Sequence, residues 1–187
     1  VFSNSLVENV YEFGSVVKPL VIAAGIDAGV FSATTPFYDK GSVKVGDREI
    51  FNFDKRGRGQ ITMQEVLSES LNTGMVFAEQ KLGKQKFYDY MSAYRLSEKT
   101  NIDLPNEAKG LSSNLESMRD VEFANISFGQ GISFSPVVLV RAISTLANGG
   151  YLVRPHVVKS VDFHDGGEKE FQFLKTDQPR VFKDGTS

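Results

Sequence analysis

Apolar positions at Val17, Leu20, Val21, Ala24 and Ile26 give a broad apolar face, which predicts a buried helix from Ser15 to about Ala28. Gly14 precedes this stretch and Gly29 follows it. Pro19 removes one helical hydrogen bond, at a small cost so early in a helix. Residues 30–60 are polar, with one hairpin expected. Val43 and Val45 lie on one arm and Ile50, Phe51 and Phe53 on the other, around Gly46-Asp47. Arg56-Gly57-Arg58-Gly59 reads as loop. Thr62 followed three residues later by Glu65 fits a capping box and starts a short helix to about Glu69. A second helix is predicted from Thr73 to Leu82, stopped by Gly83. A third runs from Lys84 to Arg95, with Phe87, Tyr90, Met91 and Tyr94 on one stripe. Ser97 to Asp120 is weakly patterned and reads mostly as loop. Ser135-Pro136 then opens the clearest helix, with Val138, Leu139, Ala142, Ile143 and Leu146 on its core face and Gly149-Gly150 past its end. Two strands follow, His156 to Phe163 and Phe171 to Leu174, joined across Asp165-Gly166-Gly167. The sum is an α+β region richer in helix than strand.

Composition narrows the class. The 187 residues are 41% hydrophobic and 24% charged, ordinary for one globular domain. The net charge of -2 gives no electrostatic case for a nucleic-acid partner. With no Cys, thiolate metal sites and Cys nucleophiles are excluded. His156 and His164 lack acidic partners at ligand spacing, so neither a metal nor a cofactor is expected. The chain opens on Val1, carries no run of 18 apolar residues, and reads as a piece of a longer protein.

Three local features could carry chemistry. Ser15 and Lys18 share a helix face one turn apart. A serine hydroxyl becomes a strong nucleophile when a base takes its proton, and a lysine with a lowered pKa can be that base. In most helices the same pair is only a capping Ser and a solvated Lys. Ser70-Leu71-Asn72 lies at a predicted helix–helix junction. There a hydroxyl could pass a proton and an amide could hold a substrate amide, although Ser and Asn are also common turn residues. Ser68 leaves open which hydroxyl matters. Ser127-Phe128-Gly129-Gln130-Gly131-Ile132 suggests a tight backbone approach. It reads as structural, since no strand precedes it and no Walker lysine follows.

Together these features resemble the transpeptidase domain of penicillin-binding proteins, in particular the monofunctional class B type, whose three motifs are S-x-x-K, S-x-N and K-T-G. Tyr11-Glu12-Phe13-Gly14-Ser15-Val16-Val17-Lys18-Pro19 is similar to the family's Y-E-P-G-S-x-x-K-P run, with Phe13 in place of Pro. Ser70-Leu71-Asn72-Thr73-Gly74-Met75 is similar to its S-S-N-x-G-M segment. Gly129-Gln130-Gly131, Ser135-Pro136 and Ala147-Asn148-Gly149-Gly150 match further segments in order. No K-T-G occurs. Lys183-Asp184-Gly185-Thr186 follows the second hairpin too closely to replace it, and the third motif is expected beyond Ser187.

The resemblance implies the helix-rich part of the penicillin-binding and serine β-lactamase-like fold. It would be incomplete at both ends, with residues 1–187 as one partial domain. It implies a D,D-transpeptidase that cross-links peptidoglycan stem peptides through an acyl-enzyme and is acylated by β-lactams. Ser15 would be the nucleophile, Lys18 the base, Ser70 the proton relay to the leaving amine, and Asn72 the holder of the donor peptide's amide. It also implies cell-wall synthesis proteins as partners, and a place outside the bacterial cytoplasmic membrane with an anchor outside this chain. A D,D-carboxypeptidase or serine β-lactamase of the same superfamily, and a non-catalytic β-lactam sensor or scaffold, are the alternatives.

Overall fold

The computed structural model describes residues 3–171 and 177–187. Eight helices, each a few turns at most, surround three small antiparallel ladders among the described residues. The helices are α1 (Ser5–Glu8), α2 (Lys18–Asp27), α3 (Met63–Ser68), α4 (Asn72–Leu82), α5 (Lys84–Ala93), α6 (Ser113–Glu116), α7 (Asp120–Ser127) and α8 (Pro136–Ser144). The strands are β1 (Pro36–Asp39), β2 (Ser42–Val45), β3 (Arg48–Phe51), β4 (Gly59–Thr62), β5 (Ser160–Asp162) and β6 (Glu168–Glu170). They pair β1 with β4, β2 with β3, and β5 with β6. The arrangement is a mixed α+β fold. No helix among the described residues is long and apolar enough to cross a membrane.

Helix α2 is the axis of the core. Eight of its ten residues are buried, and it packs on α3, α4, α5 and α8. A helix with apolar surface nearly all round can only sit inside a domain. The expected single helix from Ser15 to Ala28 is two pieces, a 3₁₀ turn over Gly14–Val17 followed by α2. Pro19 is the cause. It has no N–H to give the Ser15 carbonyl, which accepts from Lys18 three residues on.

The predicted β2–β3 hairpin is present, turning at Gly46-Asp47. Its second arm stops at Phe51, because Asn52 turns inward and is buried, while Phe53 is 100% exposed. Strands β1 and β4 carry no clear alternating pattern and were not predicted. The capping box holds: Thr62 Oγ1 accepts from the Glu65 N–H, and Glu65 accepts from the Thr62 N–H at 2.7 Å. Helices α3, α4 and α5 fall within two residues of expectation. Helix α6, inside the span read mostly as loop, and helix α7, which begins where that span ends, were not predicted.

Two predicted elements are shorter than expected. Helix α8 ends at Ser144, well before Gly149, where Ser144 and Thr145 hydroxyls donate back to the Arg141 and Ala142 carbonyls. Ser135 precedes it but makes no side-chain cap bond. The strand expected from His156 is confined to Ser160–Asp162, since the Asp103 carboxylate takes the Val157 and Val158 N–H groups at 2.7 and 2.6 Å. Its partner is Glu168–Glu170, upstream of Phe171. Residues 172–174 of the expected strand lie outside the described residues.

Candidate active site

The stretch leading into Ser15 is stitched to the glycine loop. Tyr11 and Phe134 exchange backbone hydrogen bonds of 2.9 and 3.2 Å, and the Gly14 N–H donates to the Gly129 carbonyl at 3.2 Å. The Gly131 N–H donates to the Glu12 carboxylate at 3.1 Å. A Cβ on Gly129 would lie 1.9 Å from the Gly14 oxygen, and Gly129 has φ +83°. The Gly129-Gln130-Gly131 loop is therefore the abutment that fixes the residue before Ser15. Overpacking and positive-φ strain both penalise a side chain there, so Gly129→Ala is expected to lose about 3 kcal/mol, read by denaturant unfolding. Phe13 has φ −79°, a backbone that Pro also accepts, and its ring packs 5.2 Å from Phe134. Phe13 thus keeps a φ that Pro could adopt and adds an aromatic anchor.

Ser15 is exposed in the 3₁₀ turn. Lys18 is not solvated: it is 1% exposed. Its Nζ donates to the Ser70 carbonyl at 2.5 Å, Ser70 Oγ at 3.0 Å and Asn72 Oδ1 at 2.8 Å. An ammonium has three N–H donors, and all three are used. Among the described residues no carboxylate forms an ion pair with it, and burial lowers its pKa from 10.5 to about 8. The structure thus joins Lys18, Ser70 and Asn72. Ser15 is tied in through the backbone, with no side-chain hydrogen bond to Lys18 among the described residues.

The Ser70–Asn72 corner has an unusual backbone. Ser70 adopts φ +56°, which turns the chain between α3 and α4 and puts its carbonyl and hydroxyl on Lys18 together. A Cβ on Gly74 would lie 2.3 Å from a Val66 methyl, so only glycine lets α4 pack this closely on α3. Ser68, the other candidate hydroxyl, donates to the Gln64 carbonyl of its own helix, and it is Ser70 Oγ that meets Lys18. Asn72 Nδ2 donates to the Phe51 carbonyl at 2.9 Å, which leaves Oδ1 for Lys18.

A cleft of about 450 Å³ opens from Asn72 between β3 and α7, walled by Ile50, Phe51, Asn125, Phe128 and Gln130. Of the four predicted site residues only Asn72 lines it. Lys183 does not approach this site. Its N–H and Nζ bind the Asp27 carboxylate and carbonyl at 2.7 and 2.9 Å, at the other end of α2. Sequence reasoning missed Asp39, Asn52 and Thr73, a buried polar group beneath the corner. Asp39 and Asn52 fall in short or irregular segments where periodicity carries no signal, and Thr73 reads only as the first residue of a predicted helix.

A profile of the Transpeptidase family, described as the penicillin binding protein transpeptidase domain, matches residues 1–185. Stage V sporulation protein D of Bacillus subtilis is 36% identical over 157 residues, covering 83% of this chain and 24% of that protein. A peptidoglycan D,D-transpeptidase FtsI homolog of Mesostigma viride is 32% identical over 183 residues, covering 91% and 30%. The chain therefore spans about a quarter of the length of the curated relatives it matches. The crystal structure of penicillin binding protein 3 of Mycobacterium tuberculosis complexed with aztreonam superposes with a TM-score of 0.90 at 27% identity. That match covers 98% of this chain and 41% of that one.

Proposed function

The chain belongs to the penicillin-binding protein transpeptidase domain family, and from that premise we propose that it carries the serine acyl-transfer centre of a peptidoglycan D,D-transpeptidase. The observation that carries this reading is the buried Lys18 amine, held by Ser70 and Asn72 with no carboxylate partner among the described residues.

The bonding around Lys18 supports a proton path. Two of its partners, the Ser70 carbonyl and Asn72 Oδ1, can only accept. A neutral Lys18 keeps both of those bonds with its two N–H groups, and its lone pair takes the third position, beside Ser70 Oγ, where an incoming Ser15 hydroxyl can compete for it. That lone pair can take the proton of Ser15 as Ser15 Oγ bonds to the carbonyl carbon of the penultimate D-Ala. The third partner, Ser70 Oγ, both donates and accepts. It receives a proton from the Lys18 ammonium while giving its own to the leaving amine, as the C–N bond breaks and the terminal D-Ala departs. An amine of a second stem peptide then attacks the acyl-enzyme by the reverse route. Asn72, at the head of the cleft, is placed to hold the donor peptide's amide. β-Lactams acylate Ser15 by the same first step, with no leaving group lost.

The substrate places the site outside the cytoplasmic membrane and among cell-wall synthesis proteins. The test is made on the full-length protein. A fluorescent penicillin is expected to form a covalent adduct that maps to Ser15 by mass spectrometry, and stem-peptide substrates are expected to yield cross-linked product. An adduct without cross-links would indicate hydrolysis or sensing instead; no adduct would defeat the reading.

A further inference from the structure

Helix α4 begins with Asn72 and has no side-chain cap of its own, because Leu71 occupies the cap position. The missing cap is supplied from the sheet side: Asn52 Oδ1 accepts the Thr73 N–H at 3.2 Å. Asn52 is 2% exposed, and Asp39 settles its orientation. Asn52 Nδ2 donates to Asp39 Oδ2 at 2.8 Å and to the Arg56 carbonyl at 3.1 Å, so its oxygen must face Thr73. Asp39 is 1% exposed and forms no ion pair among the described residues. Its carboxylate accepts four hydrogen bonds, from the Gly41 and Arg58 N–H groups, Asn52 Nδ2 and Thr73 Oγ1, at 2.7 to 3.0 Å. A buried charge is costly unless its oxygens are saturated, and only a carboxylate can accept all four. Its position near the first turn of an 11-residue helix adds a favourable dipole.

The consequence reaches the candidate active site. Phe51 and Asn52 present two oxygens side by side, one backbone and one side chain. They grip Asn72 Nδ2 and the Thr73 N–H. Gripped so, Asn72 can turn only Oδ1 toward Lys18. We propose that Asp39 is a positioning residue that, by holding Asn52 and Thr73, fixes the first turn of α4 against the Phe51 carbonyl, and with it the Asn72 amide that holds the Lys18 amine on line. This rests on the acyl-transfer reading.

The test is the second-order rate of acylation by a fluorescent penicillin, measured against pH in the full-length protein, beside thermal melting. Asp39→Asn leaves some donors facing an N–H whichever way the new amide turns. It is expected to slow acylation about 10- to 100-fold, as small misplacements of reacting groups do. The acidic limb of the profile is expected to move to lower pH, because the Lys18 ammonium loses an acceptor. Thr73→Val keeps the volume and the Asp39 charge, so it separates geometry from charge. Its expected effect is about 5-fold, near one lost hydrogen bond, with the same direction of limb shift. Thr73→Val also serves if Asp39→Asn does not fold. A limb that stays put in Thr73→Val overturns the proposal, whatever the melting temperature. Ser15→Ala is measured alongside: labelling retained there would defeat the acyl-transfer reading instead.

Discussion

Ser15→Ala is expected to abolish covalent labelling by penicillin entirely and leave the melting temperature within about 1 °C. Few substitutions separate function from stability so cleanly, and the reason lies in what the hydroxyl does not do. Ser15 is exposed, and among the described residues its side chain makes no hydrogen bond that the fold would lose. Its structural service is performed by the backbone, whose carbonyl accepts from Lys18 and survives the substitution. The strap before it is held from outside, by Gly129, Gly131 and Phe134. Removing Oγ therefore removes the proposed reacting atom and no contact of the fold among the described residues. An adduct that persists would show that the nucleophile had been wrongly placed, and a drop in melting temperature of several degrees would show that the hydroxyl also supports the fold.

The contrast between Ser15 and its surroundings shows how much of this molecule its sequence discloses. Elements whose formation is decided locally were legible. The Thr62–Glu65 capping box, the Gly46-Asp47 turn and the glycine stop after Leu82 each depend on neighbours within a few residues. The candidate site residues Ser15, Lys18, Ser70 and Asn72 were legible as motifs in order, and the structure brings three of them, Lys18, Ser70 and Asn72, into one hydrogen-bonded group. What spacing could not disclose is the burial of Lys18. The residues that enclose it come from more than 50 positions away, through a turn at Ser70 with φ +56° that only tertiary packing sustains. Strands β1 and β4 were hidden for a related reason. Four residues such as Pro36–Asp39 carry too little alternation to register, and their pairing is fixed by the Asp39 network instead of by pattern. Helix α8 was overestimated because its apolar stripe continues past the point where two hydroxyls close the helix.

Lys18→Met carries the other large effect, in two directions at once. Acylation is expected to fall about a thousand-fold, the scale of a lost general base. Stability near neutral pH is expected not to fall with it, because the amine is a thermodynamic burden where it lies. Burial lowers its pKa from 10.5 to about 8, so holding the ammonium in the folded state costs about 3 kcal/mol at pH 7. The sign follows from proton counts. Between pH 8 and 10.5 the unfolded chain binds more protons than the folded one, so stability climbs with pH across that window. Below about 8 the full penalty applies, and above 10.5 none remains. Methionine fills a similar volume without charge, and water can reach the acceptors that Lys18 leaves, because Ser70 is exposed and Asn72 lines the cleft. Other lysines and tyrosines titrate in the same range, but they are common to both proteins, so the difference between wild type and variant isolates Lys18. Unfolding by denaturant at pH 7 and at pH 10.5 measures that difference. It should shift by about 3 kcal/mol, with the wild type gaining. Equal pH slopes in the two proteins would mean that Lys18 is not strained by burial. The lowered pKa that suits it to take the Ser15 proton at physiological pH would then have no basis.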